Sequence, residues 1–157
     1  MNHPGMYRLA LLLLVATPAA ADSVPDYLDN RSDAAALVRS YYNAIARQEY
    51  VRAWSYFGDR KPVADYDAFA AGYEGTGDVD LVTVESEGAA GRTYSTVRLA
   101  CSATGADGKA RVFAGCYTMR LAQPGIQAPP FQPLHIENAT LHEAALPLAE
   151  ALPPSCE

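Results

Sequence analysis

Three cysteines carry the most testable chemistry in this chain: Cys101, Cys116 and Cys156. In an oxidising compartment they allow one disulfide and one leftover thiol, with three pairings. Asp107-Gly108 reads as a tight hairpin turn between two strands, because both residues tolerate positive φ. If Ala106 faces Lys109 across it, Cys101 faces Ala114, and Cys116 is a diagonal neighbour on the same face, roughly 7–8 Å away. Disulfide Cα separations run about 4.4–6.8 Å, so Cys101–Cys116 needs a one-residue bulge. Cys116–Cys156 would instead pin a proline-rich tail back onto the sheet, and Cys101–Cys156 is the third pairing. No C-x-x-C spacing is present, so a redox-active dithiol is not expected.

His135 and Glu137 alternate on one face of a predicted strand, with His142 just beyond. Two such ligands could contribute to a metal site, but structural zinc takes four, so the expectation is no metal and an ordinary polar strand face. His135 is also a candidate general base. Asp65 and Asp67 flank Tyr66; each could be a pocket carboxylate, and the simpler reading is a helix N-cap and a first-turn acid. The ten tyrosines are numerous for 157 residues. A tyrosine buries its ring while its hydroxyl seeks a partner, so several around one cavity would make an amphipathic pocket. Tyr41, Trp54, Tyr73, Tyr117 and His135 are the pocket candidates. P-loop, G-x-S-x-G, H-E-x-x-H and G-x-G-x-x-G signatures are absent, so no catalytic set and no cofactor are expected.

Where these residues sit follows from the patterning. Residues 1–21 have the layout of a secretory signal: Arg8, the apolar run LALLLLVA (9–16), Pro18, then Ala19-Ala20-Ala21 as a small-residue cleavage site. That run is far short of the roughly 20 residues a bilayer span needs. A compact alanine-rich site fits a bacterial periplasm, so the expected product is periplasmic or secreted, with no membrane insertion after cleavage. The formal net charge is −6 and the pI about 5.0; loss of Arg8 makes the remainder one unit more acidic. Nucleic acid and anionic membrane surfaces are therefore poor partners. Asn30 and Asn138 stand in N-x-[ST] sequons, which matter only in a eukaryotic secretory route.

After a lead-in (22–32), three helical patterns follow. Ser32 or Asp33 can cap a helix over 33–47, with Leu37, Tyr41, Ala44 and Ile45 on one stripe. A second places Tyr50, Ala53, Trp54 and Phe57 together, with Gly58 as its C-terminal stop. A third runs from Asp65 to about Tyr73. The period then changes to two over 80–87, 93–102, 110–121 and 134–142, joined by turns and by a loop with Pro124, Pro129, Pro130 and Pro133. Turn-connected strands are antiparallel. Helices followed by such strands make an α+β domain over 33–142, leaving a Pro/Ala-rich tail (143–157).

Three segments, ALVRSYYNAIARQEYVRAWSYF (36–57), DYDAFAAGY (65–73) and FAGCYTMR (113–120), resemble the NTF2-like (cystatin-like) superfamily, and DYDAFAAGY is similar to the third-helix segment of exported bacterial members. The resemblance implies a cone: three helices packed on a curved antiparallel sheet of about four strands, with a pocket at the open end. It also implies a choice between a non-catalytic module that binds a small ligand or an envelope protein and an isomerase- or cyclase-type enzyme using a pocket His or Asp with a Tyr donor. Fold alone does not choose, and no catalytic set maps residue by residue, which favours the binding module. By analogy, the sheet also offers a surface for a homodimer.

Overall fold

The computed structural model describes residues 23–77, 79–87 and 94–156, with the backbone alone described over 82–87. The predicted signal segment and the turn at Gly88–Gly91 lie outside the described residues.

Among the described residues the chain forms an α+β arrangement of three α-helices and an open four-stranded antiparallel sheet. The helices are α1 (Ala34–Ala46), α2 (Tyr50–Ser55) and α3 (Tyr66–Tyr73). The strands are β1 (Val79–Glu87), β2 (Tyr94–Thr104), β3 (Ala110–Arg120) and β4 (His135–Ala144), in the order β1-β2-β3-β4. Helix starts follow local chemistry. The Asp33 side chain accepts the Ala36 N–H at 2.8 Å, and that of Asp65 accepts the Ala68 N–H at 2.8 Å. Each satisfies an orphan donor of a first turn. Lys61 takes the Trp54 and Phe57 carbonyls, at 3.3 and 3.0 Å, just past the end of α2.

The helices cover one sheet face. Leu37, Val38, Tyr41 and Ile45 of α1 and Tyr56 are buried against Val97, Leu99 and Cys101 of β2, Tyr117 and Met119 of β3, and Ile136 of β4. Burying a side chain of this size contributes about 1.5–3 kcal/mol, so this layer supplies most of the drive to fold. A slip of register between Thr118 and Met119 of β3 leaves Glu137 as the extra residue of β4. Ile136 therefore points to the helices, as Met119 does.

Gly58 has a different job from the helix stop expected of it. Its N–H bonds the Ile136 carbonyl at 3.1 Å, while the Ile136 N–H bonds the Tyr56 carbonyl at 2.8 Å. The chain leaving α2 thus pairs with the start of β4. A Cβ at Gly58 would lie 2.3 Å from Cδ2 of His135, so any larger residue there must displace that ring.

The hairpin turn differs from the tight one predicted. The strands close at Thr104 opposite Ala110, leaving five residues between them, with Gly108 at φ 73° and the Gly105 N–H bonded to the Lys109 carbonyl. Cys101 consequently faces Phe113, and Cys116 faces Arg98. A one-residue change of register moves a side chain to the opposite face. Cys101 points to the helices and Cys116 away from them, so they cannot bond.

Cys116 bonds Cys156 instead, with Cα atoms 5.8 Å apart. The tail turns back after β4 and crosses the sheet face opposite the helices. The Arg98 guanidinium donates to the Pro153 and Pro154 carbonyls at 3.1 and 2.8 Å. Ala100, on that outward face, and Ala151 of the tail are both buried. No helix among the described residues is long and apolar enough to cross a membrane.

Candidate ligand-binding site

A cavity of about 210 Å³ lies between α1, the end of α3 and the helix-facing side of the sheet. Tyr42 and Ile45 of α1 form one wall. Gly72, Tyr73 and Thr76 border it at the end of α3. Val79, Cys101, Ala103, Phe113 and Leu141 come from all four strands. Among the described residues the lining contains no His, Asp, Glu, Lys or Arg, and its polar groups are hydroxyls and one thiol.

The two tyrosine hydroxyls of the lining, those of Tyr42 and Tyr73, are each paired with another tyrosine. Tyr41 and Tyr73 meet at 2.6 Å between oxygens, and Tyr42 and Tyr117 at 2.8 Å. A phenol has one proton to donate and can also accept. In each pair one hydroxyl donates to the other, and one O–H proton remains for a third group. The rings pack edge to face: Tyr41 against Tyr42 at 5.0 Å and Tyr42 against Tyr117 at 6.3 Å between centroids. Tyr50 stacks on Tyr73 and donates to the Tyr73 carbonyl at 3.1 Å, fixing the outer tyrosine from below.

Burial pushes the phenols of Tyr41, Tyr42 and Tyr117 well above their ordinary 10.0, and burial also raises that of Tyr73. Burial likewise raises the Cys101 thiol above 9.0, against the opposing effect of a hydrogen bond with Tyr42. A raised thiol pKa means little thiolate and a poor nucleophile. The site as built is neutral at ordinary pH.

The other sequence-derived candidates lie in distinct places. Tyr41 and Tyr117 stand behind the lining as hydrogen-bond partners of Tyr73 and Tyr42. Trp54 packs edge-on against Phe69 at 5.1 Å and Tyr66 at 6.1 Å, with the Lys61 ammonium 5.0 Å from its ring centre, and does not line the cavity. His135 is buried beside Gly58, with Nδ1 2.9 Å from the Pro133 carbonyl and Nε2 3.5 Å from Glu137 Oε2. A carbonyl only accepts, so Nδ1 carries a proton in this arrangement. Asp65 caps α3, and Asp67 is exposed in its first turn. His142 borders a separate recess of about 490 Å³ between the sheet's outer face and the tail. No group of three or more His, Cys, Asp or Glu side chains among the described residues could hold a metal ion.

Sequence reasoning missed Tyr42, Phe113 and Leu141 as walls of the cavity. Tyr42 follows Tyr41 and so points about a quarter-turn away, toward the sheet. Phe113 and Cys101 share a face only once the five-residue turn sets the register. No family model, curated protein or solved structure matches the chain.

Proposed function

We propose that this is an exported module with an NTF2-like cone, which holds a small, neutral, largely apolar ligand and does no chemistry on it. The observation that carries the reading is the cavity: ring and aliphatic walls, tyrosine hydroxyls paired at 2.6 and 2.8 Å, and no acid or base among the described lining residues. Ligand sites are mostly apolar with a few placed polar groups. An apolar cavity of about 150 Å³ accepts benzene, so about 210 Å³ fits one ring with a small substituent. The O–H proton left over in the Tyr41–Tyr73 pair, whose Tyr73 lines the cavity, favours a substituent that accepts a hydrogen bond.

The exported address rests on the signal-like leader, and the Cys116–Cys156 disulfide fits an oxidising compartment. The isomerase- or cyclase-type alternative needs an acid or base beside the ligand. His135 and Glu137 lie at the junction of α2 and β4 rather than on this cavity, so no observation favours it. Presentation of the ligand to an envelope protein is the companion role.

Titration with phenol by calorimetry and thermal shift tests the reading. Binding of one phenol per chain is expected, with a rise in melting temperature that grows with ligand concentration and is reduced in Phe113→Ser. Absence of binding by phenol and by other single-ring neutrals at millimolar concentration would overturn it.

A further inference from the structure

Residues 121–134, which join β3 to β4, make the longest run of the chain without Asp, Glu, Lys, Arg or His. Ile126 and Phe131 stand out from this loop, 82% and 60% exposed. Pro124, Pro129, Pro130 and Pro133 have no N–H to leave unpaired. Gln127 binds the loop's own backbone. Its Nε2 donates to the Ala122 and Gln132 carbonyls at 2.8 and 3.0 Å, and its Oε1 accepts the Gln132 N–H at 2.7 Å. The Ile126 N–H closes a turn on the Gln123 carbonyl at 3.1 Å. The loop is thus held in one shape by its own groups, with two bulky apolar side chains left in water.

We propose that this loop docks the protein on the surface of a phospholipid bilayer, with Ile126 and Phe131 entering the boundary between headgroups and acyl chains. The chemistry of the loop favours lipid over a protein groove. A bilayer penalises charge and unpaired backbone donors. This run has no charge, four residues without an N–H, and a side-chain clamp on its backbone. Protein interfaces instead carry direct hydrogen bonds and a polar rim, and here the amide of Gln127 is already engaged within the loop. The prolines also bar the loop from adding as a strand to a partner's sheet. The row of the sheet from which the loop leaves supplies side chains suited to headgroup depth. Arg120 stands opposite Tyr94 on one side and His135 on the other. Tyr94 is half exposed, and the Arg120 guanidinium carbon lies 5.8 Å from its ring centre. No acid pairs with Arg120 among the described residues. Tyrosine rings favour the membrane interface, and an arginine stem can lift its head to a phosphate. Two side chains make the docking shallow and reversible. A chain of net charge −6 is repelled by anionic lipid, so the surface is a zwitterionic one.

The test uses phosphatidylcholine vesicles with brominated acyl chains, which quench tryptophan on contact. Emission of Phe131→Trp should be quenched at millimolar lipid. Wild-type emission comes from Trp54, packed against Phe69, and should change little. In vesicle co-sedimentation Ile126→Ser and Phe131→Ser should each weaken partitioning roughly three- to tenfold, a fraction of what full burial of such a side chain is worth. Leu146→Ser removes an equally exposed apolar group beyond the far end of β4 and should leave partitioning within about twofold, because surface leucines scattered singly carry no such role. All these positions are exposed, so the variants keep the fold. Phenol binding should be the same in each, since the cavity is lined by Val79, Ala103 and Phe113 toward the other end of the sheet. Absence of quenching in Phe131→Trp overturns the proposal, as does partitioning that Leu146→Ser weakens as much as the loop variants do. Contact with an envelope protein that both loop variants abolish, with no quenching by vesicles, overturns it as well and assigns the loop to a protein partner.

Discussion

Cys116 and Cys156 are bonded across a sequence separation of 40 residues, tying the penultimate residue to the outward face of β3. Closing a loop of that length removes unfolded-state entropy equivalent to about 4 kcal/mol. Cys156→Ser should lower unfolding free energy by up to that amount in denaturant titration. Limited proteolysis should cut the variant's tail near Leu152 while the rest of the domain survives. An uncut tail would mean that the contacts of Arg98 and Ala151 hold it without the bond.

Gly115 and Thr140 set the spacing of β3 and β4. A Cβ on Gly115 would stand 1.9 Å from the Thr140 carbonyl oxygen, a backbone atom that cannot step aside. Gly115→Ala should cost about 3 kcal/mol or more. Gly58→Ala meets the His135 ring instead, at 2.3 Å. A ring can shift more readily than a strand, so a smaller loss of about 1–3 kcal/mol is expected. Melting temperatures of the two variants should rank in that order.

The tyrosine cluster should resist alkali until the fold opens. Tyr41, Tyr42 and Tyr117 have phenols raised well above 10.0 by burial. A raised folded pKa gives stability that is complete below the unfolded value and declines as pH climbs past it, because only the unfolded chain releases those protons. Absorbance at the tyrosinate band should therefore show a late group of phenols whose ionisation coincides with loss of secondary structure. Early titration of all the tyrosines with the fold intact would contradict the burial.

Acid should loosen the lead-in. Burial opposes ionisation of Asp29, but the Tyr56 hydroxyl at 2.8 Å and the neighbouring Arg31 outweigh it and hold the carboxyl below 3.8. A depressed folded pKa gives stability present above the unfolded value and lost as pH falls through the folded one. Protonation would remove the acceptor that anchors residue 29 to α2. Hydrogen exchange at Asn30 and Leu28 should accelerate as pH drops below about 4, after correction for intrinsic rates. Asp29→Asn should show that faster exchange already at pH 7.

The sequence by itself determined the class and order of elements. Asp33 and Asp65 announce helix starts because a carboxylate can satisfy first-turn N–H groups locally. The change from a spacing of three and four to a spacing of two marks where helices give way to strands. These are short-range signals, carried by neighbours in the chain. What the tertiary structure decided was register and proximity. Asp107-Gly108 marks a turn, but not that five residues would form it, and that single step sends Cys101 into the cavity and Cys116 to the tail. The cavity has the same origin. Tyr42, Tyr73, Cys101 and Phe113 are far apart in the chain, and nothing in their local sequence distinguishes a cavity wall from a packed core. Only the meeting of α1, α3 and one sheet face leaves a space among them, because side-chain volumes from separate elements must be summed in three dimensions before a gap exists.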